Sequence, residues 1–319
     1  MAFPREYIAT TLEKWSPQMA DNVLNNIPLL YFLQKKKHIE KEDGGRYLEE
    51  DLMYDENGSY KWYSGYEELD TSVNEVMTYA EFAWKQSATT VSFSGLESRI
   101  NSGTKTQKHK LIKSRFEVAE KTMRNSVNTS LFSDGTGSNG KELGGLQLLV
   151  ADDPTTGTVG GIDASTNTWW RNQLYDFSVA GIGSTPTGAQ MKTAMNTMLL
   201  RTTRNADSPN LILAGEEYFT IYKDYVENTM KRIVGNEKGD GGFRSVDFCG
   251  IPVVYDPACD TNRMYFLNLD YLKFRVHRDA YFKLDRERLS TNQDASLFPM
   301  LFQGAFTVCN RSLQGVIIA

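Results

Sequence analysis

The stretch LFSDGTGSNGKELGGLQLLV, residues 131–150, contains two spacings suited to phosphate chemistry. Gly135, Gly137 and Gly140 form GxGxxG, and Gly135 to Lys141 form GxxxxGK. Glycines so spaced let backbone N–H groups close on a phosphate in front of a helix N-terminus. The surrounding order argues against that use. In a dinucleotide site the glycines leave a strand and open a helix, whereas here they follow a long helical pattern and precede KELGGLQLLV, which has no helix start. A phosphate loop ending in Lys continues with a Ser or Thr that holds magnesium, and this chain has Glu142. A nucleotide-binding enzyme working through the Gly135 to Lys141 loop stays only as a remote alternative.

The other chemically suggestive residues lead no further. His277-Arg278-Asp279 has the order of a kinase catalytic loop, but Leu284 stands where the metal-binding Asn belongs, without a Gly-rich loop or Asp-Phe-Gly. His38 and His109 lie in basic, polar contexts with no carboxylate or Cys at ligand spacing. Glu49, Glu50 and Asp51 are consecutive, and on a strand consecutive side chains point to alternate faces. No GxSxG marks a nucleophile elbow. Cys249, Cys259 and Cys309 are odd in number and lack CxxC spacing, so they read as reduced, buried thiols of a cytoplasmically made protein. No catalytic, cofactor-binding or metal-binding residue, no cofactor and no enzymatic activity is expected.

The elements around these residues are more informative. The 319 residues, 40% hydrophobic and 24% charged with net charge -5, suffice for one elaborate domain or two subdomains and exclude a strongly basic nucleic-acid binder. No signal peptide and no membrane span is legible. Met19, Val23, Ile27 and Leu30 predict an amphipathic helix over Ser16 to Gln34, broken or bent at Pro28. In RYLEEDLMYDENGSYKWYSGY two strand-like runs flank Asn57-Gly58, which predicts a tight hairpin turn. In VMTYAEFAWKQSATTVSFSG, Val76, Thr78, Ala80, Phe82 and Trp84 share a strand face. Together these predict a long extension of two or three strands. It carries Tyr47, Tyr54, Tyr60, Trp62, Tyr63 and Tyr66, which need a cover. The protein's own body and a neighbouring copy are equally open as that cover.

From Thr104 to Phe132 the period becomes helical, with Ile112, Phe116, Ala119, Met123, Val127 and Leu131 on one stripe. Thr104 with Gln107 fits a capping box and Gly135 a stop. A Gly-rich and Thr-rich region to Gly188, then helix, strand and helix patterns, then mainly strands from Arg244, complete an α+β chain. Charge is segregated along it. Between Glu40 and Glu75 stand 12 acidic and 3 basic residues, and from Thr104 to Leu131 there are 7 basic and 2 acidic. Such runs suit solvated faces, or an acidic arm of one copy lying on a basic surface of another.

This order of parts resembles the major capsid proteins of tailed bacteriophages, the Hong Kong 97-type capsid fold. The resemblance spans essentially the whole chain. It rests on AEFAWKQSATTVSFSG before the helix, LFSDGTGSNGKELGGL after it, GTVGGIDASTNTWWRN, and FCGIPVVYDPACDTNRMYFLNLDYLKF followed by CNRSLQGVI.

The resemblance implies an N-terminal arm at 1–39 and an extended β-hairpin E-loop at 40–92 that reaches over an adjacent copy. It further implies a peripheral domain at 93–141 and 262–319 with the long spine helix, and an axial domain at 142–261. It tips the cover of the hairpin aromatics toward a neighbour. Glu49, Glu50, Asp51, Tyr60, Trp62 and Tyr63 would make E-loop contacts between neighbouring copies. Lys105, Lys108, Lys113 and Arg115 would form a basic spine-helix surface facing a neighbour's arm or DNA, and Gly135, Gly137 and Gly140 would be hinge glycines. Implied partners are further copies, as pentamers and hexamers of an icosahedral shell, with packaged double-stranded DNA bound non-specifically, a portal and a possible decoration protein. A separate scaffolding protein is expected because no long charged helical extension precedes the arm. Lys61 offers an amine for cross-linking but no partner is identified, so no covalent cross-link is expected. The implied location is the virion capsid, assembled in the bacterial host cytoplasm. An encapsulin-type nanocompartment shell is the alternative within the fold.

Overall fold

The computed structural model describes residues 19, 21–95, 105–230, 243, 245–289 and 293–319, with side chains of 105–112 and 230 set aside. In chain order the first elements are α1 (Pro28–Lys35), β1 (Ile39–Glu42), β2 (Tyr47–Met53), β3 (Met77–Ala83), β4 (Lys85–Ser94) and α2 (Lys105–Leu131). After two single helical turns, Gly137–Gly140 and Leu146–Leu149, the second of which lies in the stretch expected to lack a helix start, come β5 (Thr158–Val159), β6 (Ile162–Asp163), β7 (Gln173–Asp176), α3 (Gly188–Thr202), β8 (Leu211–Ala214) and α4 (Glu216–Met230). The remainder is β9 (Ser245–Phe248), β10 (Ile251–Tyr255), β11 (Met264–Leu267), β12 (Leu272–His277), β13 (Lys283–Leu284), β14 (Arg288–Leu289), β15 (Ala295–Val308) and β16 (Gly315–Ile318).

Two six-stranded sheets organise the chain. The first runs β1-β12-β15-β13, with β4 and β14 also paired to β15. The second runs β7-β16-β11-β8-β10-β9. β8, LILA, is buried at all four positions, as an apolar run must be when both faces of a strand are covered. Against the second sheet lie α3, whose Met191, Ala194, Met195 and Met198 are buried, and α4, which buries Tyr218, Tyr222 and Val226. Thr187 and Gln190 close a reciprocal capping box at the start of α3. The long helix α2 buries Phe116, Ala119, Met123, Val127 and Leu131 of the predicted stripe, and the side chain of its first member, Ile112, lies outside the described residues. Phe116 meets Phe93 of β4 and Phe298 of β15 in a three-ring cluster with centroids 5.8–6.2 Å apart.

Several expectations need correction. Pro28 starts α1, where its missing N–H costs nothing, so the predicted bend is a boundary between two helical pieces. Residues 16–18 and the Thr104 capping box lie outside the described residues. Asn57-Gly58 does not join paired strands. β2 pairs instead with β3, from Tyr47↔Ala83 to Met53↔Met77, and residues 54–76 form a long connection. Asn57 accepts from the Ser59 backbone N–H, and Gly58 needs no positive φ. The predicted extension is thus two-stranded and shorter than 40–92, because β1 and β4 belong to the first sheet. β11 and β16 pair within the second sheet, while β12 to β15 enter the first. Cys249 is exposed and Cys309 half-buried, so of the three thiols expected inside only Cys259 is fully buried. Among the described residues, no helix is long and apolar enough to cross a membrane.

Candidate functional site

The β2–β3 hairpin has two chemically distinct parts. At its root the strand period sends Leu48, Glu50 and Leu52 inward and Tyr47, Glu49, Asp51 and Met53 outward. Opposite them Ala80 and Phe82 also point inward, as predicted. Glu50 is only 3% exposed and is surrounded by its own chain. Its carboxylate is 2.7 Å from Arg275 Nε and 3.5 Å from Lys273 Nζ. It accepts from Thr307 Oγ1 at 2.9 Å, and the Cys309 Sγ lies 3.1 Å away. Glu40 reaches the same two cations at 3.3 and 3.4 Å, and Glu42 reaches Arg275 at 3.5 Å. Burial pulls the Lys273 ammonium down, but Glu50, Cys309 and Glu40 together push it above the ordinary lysine value. Burial, with Glu50 beside it, pushes the Cys309 thiol up to about 12.

The sequence puts Glu50 among the contacts between copies, and the structure places it inside. A charged residue between two inward leucines is the local signal of such a buried pair. Its partners Lys273, Arg275 and Thr307 lie more distantly in sequence than any periodic pattern reaches, and sequence reasoning missed them.

At the tip the environment reverses. Tyr54, nearest the root, stacks on Trp169 at 5.1 Å and donates its hydroxyl to the Glu75 carbonyl at 2.8 Å. Beyond it Tyr60, Trp62, Tyr63 and Tyr66 are exposed, Trp62 at 88%. The loop is held by polar links: Asn74 donates to Asn57 Oδ1 at 2.8 Å, and the Lys61 ammonium donates to the Glu68 carbonyl. Residues 54–76 carry Asp55, Glu56, Glu67, Glu68, Asp70 and Glu75 against the single cation Lys61. Among the described residues, the predicted contact residues Tyr60, Trp62 and Tyr63 therefore share one outward, acidic and aromatic loop, while Glu49 and Asp51 lie on the outer face of β2.

The basic helix is less uniform than its sequence. Lys113 and Lys121 are exposed beside Val118, and Lys113 pairs with Glu117 at 3.7 Å. Arg115 is engaged by its own chain: it donates to the Ser92 carbonyl at 2.7 Å and covers the Phe93 ring at 5.1 Å. The side chains of Lys105 and Lys108 lie outside the described residues.

The glycine loop turns the chain away from the end of α2. Gly135 has φ 77°, and a Cβ there would sit 2.9 Å from the Gly144 Cα. A Cβ on Gly145 would meet the Leu131 carbonyl at 2.3 Å, so only glycine can pass the helix terminus this closely. Gly140 also has positive φ, 75°, whereas Gly137 does not. The Glu142 carboxylate accepts from Ser130 Oγ at 3.1 Å and crowds Gly137. The glycine loop therefore carries a carboxylate at its edge, a charge of the same sign as a phosphate. A cleft of about 650 Å3 beside this loop is lined by Lys85, Ser130, Lys141, Glu142 and Phe302, among others. Among the described residues, no group of three His, Cys, Asp or Glu side chains is placed to hold a metal ion.

No family model matches the sequence, and no curated protein matches it. In structure the chain is similar to one from the capsid asymmetric unit of cyanophage A-1(L), with TM-score 0.63, 18% identity, and coverage of 92% of this chain and 93% of that one. It is similar to a chain from the capsid of the native GTA particle, with TM-score 0.59, 10% identity, and coverage of 89% and 88%. It is also similar to the SrpI encapsulin of Synechococcus elongatus PCC 7942, with TM-score 0.53, 11% identity, and coverage of 89% and 86%. The chain therefore has the mixed helix and sheet fold of capsid and encapsulin shell proteins, over nearly its whole length.

Proposed function

We propose that this chain is a major capsid protein of a tailed bacteriophage, with the Hong Kong 97-type fold, self-assembling as pentamers and hexamers into an icosahedral head around double-stranded DNA. The observation that carries this reading is the whole-length likeness to the cyanophage capsid chain, which matches 93% of that chain as well as 92% of this one. In this reading the hairpin of β2, β3 and residues 54–76 is the E-loop, α2 is the spine helix, the first sheet is peripheral and the second axial.

The site chemistry agrees with assembly. Isolated hairpins are marginal in water, so a projecting tip bearing exposed Tyr60, Trp62, Tyr63 and Tyr66 gains most by lying on another copy. The acidic tip and the exposed lysines of α2 are complementary in charge, which sets orientation and encounter rate more than affinity. Many moderate interfaces per copy then add up to a stable shell. The protein acts by assembly and not by catalysis, in the virion capsid after assembly in the host cytoplasm. A scaffolding protein, a portal and a decoration protein are its expected partners, and DNA contacts are expected to be non-specific.

Electron microscopy of the purified chain tests the proposal: capsomers or shells are expected, and a stable monomer at high concentration overturns it. An encapsulin-type compartment is the second reading, favoured by the SrpI likeness but with the lower TM-score of 0.53. Terminase, portal and scaffold genes beside this one support the phage reading, and a neighbouring cargo-enzyme gene the compartment.

A further inference from the structure

Asp256 directly follows β10 and is fully buried. Its Oδ1 accepts from the Asn128 side-chain amide of α2 at 3.1 Å and from the Ala258 backbone N–H at 2.9 Å. Among the described residues its Oδ2 is buried without a partner, and so is the Oδ1 of the same Asn128. Both orphans are acceptors, and both belong to one hydrogen-bonded pair of side chains. An ionised carboxylate would leave them both unmatched and bury a charge as well. One proton on Oδ2 answers both deficits. The acid O–H then donates to Asn128 Oδ1 while Asn128 Nδ2 donates to Asp256 Oδ1, closing a cyclic acid–amide pair.

We propose that Asp256 is a neutral carboxylic acid in the folded chain and forms with Asn128 a proton-held latch fastening the last turns of α2 to the second sheet. The sheet side of the latch is itself tied down, since the Asp256 N–H donates to the Ala214 carbonyl of β8 at 3.2 Å. Among the described residues, Cys259, Asp260 and Arg263 are the titratable and charged groups of the loop that follows it, and on α2 Arg124 and Glu120 stand one and two turns before Asn128. β8, with Leu211, Ile212, Leu213 and Ala214, contributes none. Arg263 does not neutralise the site, because Asp152 at 2.8 Å and Asp260 at 3.4 Å hold its guanidinium. Burial pushes the Cys259 thiol up, so it too stays uncharged. Burial likewise raises the Asp256 carboxyl above its ordinary value, against the opposing bonds from Ala258 and Asn128. A carboxyl raised on folding stabilises fully below its unfolded value and loses that contribution as pH rises through its folded value. The latch therefore tightens on acidification and loosens toward alkaline pH.

Asp256→Asn in the full chain separates this from an ionised site. The new amide donates where the acid O–H did, so both bonds persist at every pH. At pH 8 the variant should unfold at the same urea concentration as the native chain or a higher one. Between pH 8 and pH 5 the native midpoint should gain on the variant's. A variant weaker than native at pH 8, with parallel pH profiles, would mean that the negative charge itself is needed and would overturn the latch. The native chain supplies a check that depends on no variant's folding. At pH 6, where ordinary carboxyls are ionised, its infrared spectrum should contain the carbonyl band of a protonated carboxylic acid, and lack of that band also overturns the proposal.

Discussion

At the root of the β2–β3 hairpin Glu50 sits among Arg275, Lys273, Thr307 and Cys309 of its own chain, whereas at the tip Trp62 and Tyr66 face outward from an acidic loop. Both parts contribute to the same run of negative charge in the sequence. Their carboxylates nevertheless do different work. The root converts charge into a buried ion-pair cluster of Glu50 with Arg275 and Lys273 at the base of the hairpin, and the tip keeps its charge solvated beside exposed aromatic surface. Net charge along a segment therefore does not report its role. What separates the two is whether a cation of the same chain lies opposite.

The largest effect should come from the root. Glu50→Ala leaves Arg275 and Lys273 half-buried with one carboxylate fewer, and losing one partner of such a cluster costs about 3–5 kcal/mol. Urea unfolding should show this as a lower midpoint, and a change under about 1 kcal/mol would dissolve the contrast. At the tip, Trp62→Ala with Tyr63→Ala should leave folding stability within about 0.5 kcal/mol. Self-association, followed by sedimentation, should instead weaken by roughly 2 kcal/mol or more if these rings anchor an interface. Tip variants that unfold as easily as the root variant would break the comparison from the other side.

Glu49→Lys with Asp51→Lys, which spares Glu50, should leave stability intact and weaken association by about 0.2–1 kcal/mol per pair. The loss should shrink as salt rises, because exposed charges are screened within about 8–10 Å. Smallest is a rate. Glu50 is a secondary cause of the raised Cys309 thiol, so Glu50→Gln should lower that pKa and speed alkylation at pH 8 by a few-fold, with burial still holding it above the ordinary range. An unchanged or slower rate would show that the carboxylate does not act on the sulfur.

Much of the fold is legible in the sequence. The 3.6-residue stripe from Phe116 to Leu131 marks α2, the alternation of Thr78, Ala80 and Phe82 marks β3, and the order of helix, strand and helix after Gly188 is the order of α3, β8 and α4. Those signals are local, written in the spacing of neighbours. The misread features depend on partners far along the chain. Asn57-Gly58 has the composition of a hairpin turn, but β2 pairs with β3 across a long connection, placing inward Leu48 and Leu52 with Ala80 and Phe82. Likewise β11 and β12 adjoin in sequence yet enter different sheets, a choice made by β8 and β15 and not by either strand's own residues. At the candidate site the exposed rings are readable as aromatics needing cover, while the inward turn of Glu50 requires Arg275 and Thr307 to be known.

β15 has one more consequence, in time. It is the strand on which β4, β12, β13 and β14 all pair, and its ladder with β4 runs from Ala295↔Ser94 to Gly304↔Lys85. At synthesis rates of about 5–20 residues per second, β4 waits roughly 10–40 s for that partner to be made. Until then the hairpin has no floor beneath its root, since Lys273, Arg275 and Thr307 do not yet exist either. The aromatic loop is therefore made early, while the ion-pair cluster beneath its root is completed only late.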